Sequence, residues 1–258
     1  MKAWRHAREM AEMARLQLDF ARALPDASER RRLLSRMHEI TANVECPHNE
    51  SHVLSFMIEL LKIPSTMEGV VVEAGCFKGG STAKFSLAAS IAGRKLVVFD
   101  SFEGLPSNEE RHTHSILGHS ITGWFGEGSF AGRLDEVRAN VERHGALDVC
   151  EFMPGWFEET MPTFGRPISA AYIDVDLASS TQTCLKYLYP LLVPGGVLVS
   201  QDGDFPLVIE AMEDPGFWTH EVGWPMPTMD GIGVRKIVTI TKPHDAEPLS
   251  SHADSHAR

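Results

Sequence analysis

Acidic residues recur where short apolar runs end: Glu73 after VVV, Asp100 after VVF, Asp174 and Asp176 within YIDVD, and Asp202 and Asp204 within SQDGD. Carboxylates that meet can hold a cation, accept hydroxyl groups or take up a proton, and they repel one another unless a cation or hydroxyl donors answer them. Taken singly, each acid also suits a helix cap or a solvated turn. Glu73 opens the segment Glu73-Ala74-Gly75-Cys76-Phe77-Lys78-Gly79-Gly80-Ser81. Gly75 permits a sharp turn beside a ligand, and Gly79 and Gly80 permit close approach where a helix starts. The spelling ExGxxxGGS departs from the GxGxxG of a dinucleotide phosphate loop. An acid at a strand tip suits an amine, while helix N-terminal amides suit a carboxylate. The pair fits an amino-acid-bearing cofactor such as S-adenosylmethionine, with a plain tight turn as the alternative. Asp100 ends the next apolar run, where an acid can accept both hydroxyls of a ribose.

These residues need a scaffold that gathers them. VVVEAG (70–75), KLVVFD (95–100), VCEFMPG (149–155), SAAYIDVD (169–176) and GGVLVSQD (195–202) are short apolar runs typical of buried parallel strands. Helical patterns separate them at 79–93, 131–145 and 179–192, and 205–214 reads as a further helix. HEVGW and VRKIVTIT suggest a final pair of strands. Alternating strands and helices imply an α/β fold: a mostly parallel sheet with helices on both faces. Right-handed crossovers then bring the strand C-terminal ends, and the acids, to one edge. Three amphipathic helices precede the sheet, at 1–24, 27–43 and 52–63. The expected organisation is an N-terminal helical extension (1–48), a catalytic domain (49–242) and a polar, disordered tail (243–258).

The chain of 258 residues is 43% hydrophobic with a formal charge of -11. That is enough to bury a sizeable core, and the acidic balance disfavours nucleic acid and anionic membrane surfaces. No apolar stretch is long enough to span a bilayer, and the charged N-terminus lacks a secretory core, so a cytoplasmic protein is expected. The four cysteines, Cys46, Cys76, Cys150 and Cys184, are widely spaced and read as reduced thiols. Cys46 and His48 could start a metal pair, but no second pair accompanies them. His112, His114 and His119 lie in a long polar segment with Trp124 and Phe125. A histidine there could act as base, His114 among them, and the segment is the natural lid over an acceptor. The apolar faces of the N-terminal helices require burial, over the acceptor site or in a homo-oligomer.

VVVEAGCFKGGSTAKFS, VVFDSFEGLP, FMPGWFEETMP, YIDVDLASST and LVPGGVLVSQD occur in this order. Over roughly residues 50–215 the chain resembles the macrocin-type sugar O-methyltransferases of natural-product biosynthesis, a class I S-adenosylmethionine-dependent family. The resemblance implies a Rossmann-like seven-stranded sheet whose last strand is antiparallel. It implies that Glu73, Gly75, Phe77, Gly79, Gly80 and Ser81 surround the methionyl part, that Asp100 and Ser101 hold the ribose, and that Gly155 and Trp156 lie near the adenine. It further implies a divalent ion, commonly magnesium, held by Asp174 and a neighbouring acid pair. Here that pair reads Gln201-Asp202, with Asp204 as a substitute ligand. The acceptor would be a small hydroxylated molecule, with Asp174 central as metal ligand and base. A nicotinamide-linked oxidoreductase and a non-catalytic cofactor-binding protein are the competing readings; the missing GxGxxG counts against the first, and Gln201 in place of an acid keeps the second open.

Overall fold

The structure, a computed structural model, describes residues 2–249. Six strands form one sheet in the order β3-β2-β1-β4-β5-β6. β1 (Val70–Ala74), β2 (Leu96–Asp100), β3 (Cys150–Pro154), β4 (Ile168–Ile173) and β5 (Leu192–Ser200) are parallel, and β6 (Val238–Thr241) runs antiparallel to β5. Strands β2 and β3 extend to one side of β1, while β4 and β5 extend to the other. The crevice beyond the tips of β1 and β4 is therefore the topological switch point, where open α/β sheets bind ligands.

Both sheet faces are covered, as continuous apolar strands require. On one face Val71, Leu96, Val98 and Tyr172 pack with α3 (Glu50–Lys62), α4 (Gly80–Ile91) and α5 (Leu134–His144). On the other, Val72, Ala74, Phe99 and Ile173 pack against α7 (Ala178–Leu188) and α8 (Pro206–Met212). The N-terminal extension shares the first core. Phe20 of α1 (Lys2–Ala23) and Leu33, Met37 and Ile40 of α2 (Ala27–Asn43) are buried in the same cluster as β1 and β2. α2 and the C-terminal part of α1 thus bury apolar residues within the chain, while Met13 and Leu18 of α1 stay exposed.

Asn49 fixes the linker between α2 and α3. Its side chain accepts from the Ser51 amide at 3.0 Å as the N-cap of α3. That cap holds residues 44–49 near the strand tips.

The expected seventh strand is not formed among the described residues. HEVGW lies in a helical turn instead. Asp214 caps Pro215–Phe217, the Trp218 indole N–H donates to the Met212 carbonyl at 2.7 Å, and Gly223 ends the segment at φ 76°. Burial of Trp218 outweighs the weak alternation of a five-residue stretch. Among the described residues, only an isolated bridge between Asp230 and Thr239 extends the sheet past β6. The start of the tail, expected to be disordered, packs back, with the Leu249 amide donating to the Gly223 carbonyl at 2.8 Å. Residues 250–258 lie outside the described residues. No described helix is long and apolar enough to cross a membrane.

Candidate active site

Two backbone bonds lock the crevice. The Gly75 amide donates to the Phe99 carbonyl at 2.9 Å, and the Asp174 amide donates to the Ala74 carbonyl at 3.0 Å. Gly75 has φ +83°, and a Cβ there would stand 2.0 Å from the Asp174 carbonyl oxygen. Only glycine lets the turn after β1 pass the tip of β4 this closely. A cavity of about 580 Å³ opens over this junction. Its wall includes Gly75, Cys76, Phe77, Asp100, Ser101, Trp156, Asp174 and Asp176.

Asp100 organises the turn. One carboxylate oxygen accepts from the Cys76 amide and the other from the Phe102 amide, each at 2.7 Å. Burial pushes its pKa up, and these amides oppose the shift. Each oxygen keeps a lone pair for a ligand hydroxyl. Ser101 also reaches the wall, but its hydroxyl donates to the Gly104 carbonyl at 2.9 Å. Trp156 lines the cavity while Gly155 stands behind it, donating its amide to the Asp100 carbonyl at 3.0 Å. Glu73, Gly79, Gly80 and Ser81 do not line the cavity. Glu73 lies beneath the loop, 0% exposed, and neither carboxylate oxygen completes a hydrogen bond. Burial lifts its pKa to about 8 against the pull of the Ser81 and Thr82 hydroxyls.

The acids on the opposite wall group differently from expectation. Oxygens of Asp174, Asp176 and Asp202 lie within 4.8 Å of one another. Asp204 is not in this group; it faces Lys236 at 4.0 Å. Gln201 also lines the cavity, and its Oε1 accepts from the Tyr172 hydroxyl at 2.7 Å. Asp202 Oδ2 accepts from the amides of Val175 and Asp176, at 3.2 and 3.0 Å. Asp202 Oδ1 is buried without a partner. Burial, then Asp174, raises the Asp202 pKa to about 7, and burial, then Asp202 and Asp174, raises that of Asp176. Burial disfavours the charge of Lys236, but the attraction of Asp202, Asp204, Asp174 and Asp176 outweighs it and raises the pKa.

His48 is the residue sequence reasoning missed. Its Nε2 lies 2.5 Å from Asp174 Oδ2, and it lines the cavity with Pro47, Asn49 and His52. Burial opposes the imidazolium, but Asp174 and then Cys46 raise it to about 11. In return, Asp174 stays below the usual carboxylate range despite its burial. Cys46 and His48 were visible as a pair, but nothing in their spacing showed that the linker would meet β4.

None of the histidines of the polar segment lines the cavity, though His119 lines the groove beside it. His114 is exposed, pairs its backbone with Ser120, and does not line the cavity. His112 is buried and pairs with Glu110 Oε2 at 3.0 Å. Glu110 also accepts from the amides of Ala178 and Ser179 at the start of α7, at 2.8 and 2.9 Å. Burial opposes its charge, yet His112 and these donors hold it near 2. The expected lid is thereby bolted to α7. Trp124 remains 53% exposed at its rim. A larger groove of about 1360 Å³ adjoins the cavity, and Asn49, His52, Trp124, Phe205 and Lys236 line both.

Residues 57–235 match the family model of macrocin-O-methyltransferase (TylF). The chain belongs to this family. It is an S-adenosylmethionine-dependent O-methyltransferase with a class I fold, which sets aside the nicotinamide and non-catalytic readings. It is 31% identical over 217 residues to the 8-demethyl-8-(2,3-dimethoxy-alpha-L-rhamnosyl)-tetracenomycin-C 4'-O-methyltransferase of Streptomyces olivaceus, covering 81% of this chain and 80% of the relative. It is 33% identical over 153 residues to the mycinamicin III 3''-O-methyltransferase of Micromonospora griseorubida, covering 57% of this chain and 59% of that one. Its fold resembles that of the O-methyltransferase NovP, with TM-score 0.58 and 24% identity, covering 75% of this chain and 78% of that chain.

Proposed function

We propose that this O-methyltransferase methylates a sugar hydroxyl on a natural product, with the donor along the tips of β1 and β2 and the acceptor between Asp174 and the adjoining groove. The observation that carries this reading is Asp174, held ionised by His48 and lining one cavity with the Gly75–Phe77 turn. Asp100 offers its free lone pairs to the ribose, and Trp156 and Phe157 form a wall for the adenine. The methionyl group follows the turn at Gly75, Cys76 and Phe77. Leu16, Ile58, Leu117, Ile121 and Trp124 make the groove apolar enough for an aglycone, while Asn49 and His52 suit a sugar at its junction with the cavity.

Asp174, Asp176 and Asp202 fit a divalent cation such as magnesium. Three acids converge with one buried oxygen unpartnered, which is a donor set that hard cations favour. A bound ion would supply Lewis-acid polarisation of the acceptor hydroxyl. The protein's own residues do the rest. Asp174 accepts the hydroxyl proton as the oxygen attacks the sulfonium methyl in line. His48 keeps Asp174 charged. Alignment of acceptor and donor is worth on the order of 7–11 kcal/mol in favourable cases, and a positioned base adds about 10²–10⁴-fold.

The test is turnover. Incubation with S-adenosylmethionine and a panel of glycosides carrying free sugar hydroxyls should yield S-adenosylhomocysteine and a product heavier by one methyl group. Products methylated only on phenols or amines would overturn the sugar assignment.

A further inference from the structure

Cys46 stands behind His48, outside the cavity wall. Its Sγ lies 3.7 Å from His48 Nδ1 and 3.8 Å from Lys84 Nζ. The sulfur also packs on the opening turn of α4, where a Cβ on Gly80 would come within 3.3 Å of it. A histidine, a lysine and the positive end of a 12-residue helix thus converge on one sulfur.

Lys84 adds an independent constraint. It is wholly buried, and among the described residues Cys46 Sγ is the one hydrogen-bond partner of its ammonium group. A buried ammonium requires a counter-charge. A thiolate at Cys46 supplies it, whereas a neutral thiol does not. Burial opposes charge on the sulfur, yet His48 and Lys84 hold the thiol below its ordinary value. The other cysteines lack this setting. Cys76 and Cys184 are buried with their pKa values pushed up, and burial lifts Cys150 to about 12. Cys46 is partly exposed.

We propose that Cys46 is a reactive cysteine that takes low-molecular-weight disulfides, and that its modification disengages His48 from Asp174 and stops methyl transfer. The Cys46 sulfur attacks one sulfur of the disulfide. A new S–S bond forms, the old one breaks, and the other half leaves as a thiolate that is protonated by solvent. The added group must occupy the space between Cys46, His48 and Lys84. Crowding on the Nδ1 side displaces the ring from Asp174, because loss of negative charge at the sulfur by itself would leave Asp174 as the remaining partner. The second half of the proposal rests on the methyl-transfer reading above; the first half does not.

The test uses the full chain. Brief treatment with iodoacetamide at pH 7, followed by peptide mass spectrometry, should place the first adduct on Cys46, roughly tenfold faster than on N-acetylcysteine. His48→Gln and Lys84→Met should each slow that labelling severalfold. The slowing of the His48 variant keeps the test valid if the lysine variant does not fold. Treatment with oxidised glutathione should abolish S-adenosylhomocysteine formation, and a reductant should restore it. Labelling no faster than the free thiol, or first at another cysteine, overturns the reactive site. A glutathionylated protein with full turnover overturns the coupling. Absence of turnover in the untreated enzyme defeats the methyl-transfer reading instead, and leaves the labelling result standing.

Discussion

Replacing Glu73 with glutamine should change how stability depends on pH. Glu73 is fully buried, its carboxylate completes no hydrogen bond, and burial raises its pKa from 4.5 to about 8. Between those values the folded chain holds a proton that the unfolded chain has lost. The folded-state pKa lies above the unfolded one, so this stability is fully present below pH 4.5 and is lost as pH rises through about 8. The slope is about 1.4 kcal/mol per pH unit. Between pH 5.5 and 7.5 the wild type should therefore lose about 3 kcal/mol through this group alone. Glu73→Gln keeps the shape and cannot ionise. Urea denaturation of both proteins at pH 5.5, 6.5 and 7.5 measures the effect as a difference. Contributions from Asp176, Asp202 and the other titrating groups cancel to the extent that they are unchanged. The difference in unfolding free energy should shift in favour of Glu73→Gln by about 3 kcal/mol across this range. Parallel pH profiles would refute the reasoning, because they would mean that Glu73 is ionised and satisfied in the folded chain.

Gly75→Ala should destabilise the chain by at least about 1–3 kcal/mol from backbone strain alone, before its clash with the Asp174 carbonyl is counted; a denaturation midpoint equal to wild type would contradict the close approach. His48→Ala should lower kcat roughly 100-fold while S-adenosylmethionine affinity stays within about twofold, since it strips a buried carboxylate of its partner without touching the donor end. Steady-state kinetics with calorimetry separates the two. Asp100→Asn places an amide donor against a backbone N–H and should weaken S-adenosylmethionine binding at least about tenfold by calorimetry. Manganese titration followed by electron paramagnetic resonance should show one site per chain, weakened about tenfold in Asp176→Asn; equal binding in both would remove Asp176 from the ligand set.

Much of the architecture could be read from residue patterns because buried parallel strands are short apolar runs, and those of β1, β2 and β4 end in or beside acids at the sheet edge. That placed Asp100 and Asp174 on the cavity wall and Gly75 between them. The seventh strand was misread because HEVGW is too short for alternation to compete with the burial of Trp218. Asp204 was expected as a substitute ligand for the family's acid pair, but it lies in the turn after β5 and faces Lys236. His48 and Lys236 could not be found by local reading. One arrives on the linker before the sheet and the other just before its last strand, and only tertiary folding brings both to the acids. His114 looked suitable by residue type alone, and the hairpin that carries it leaves it in solvent.

A crystal structure of the chain with S-adenosylhomocysteine tests the site most directly. The ribose hydroxyls should meet Asp100, the adenine should lie against Trp156, and the sulfur should face Asp174. A nucleoside bound in the groove beside α1, or a sulfur directed away from Asp174, would contradict the assignment.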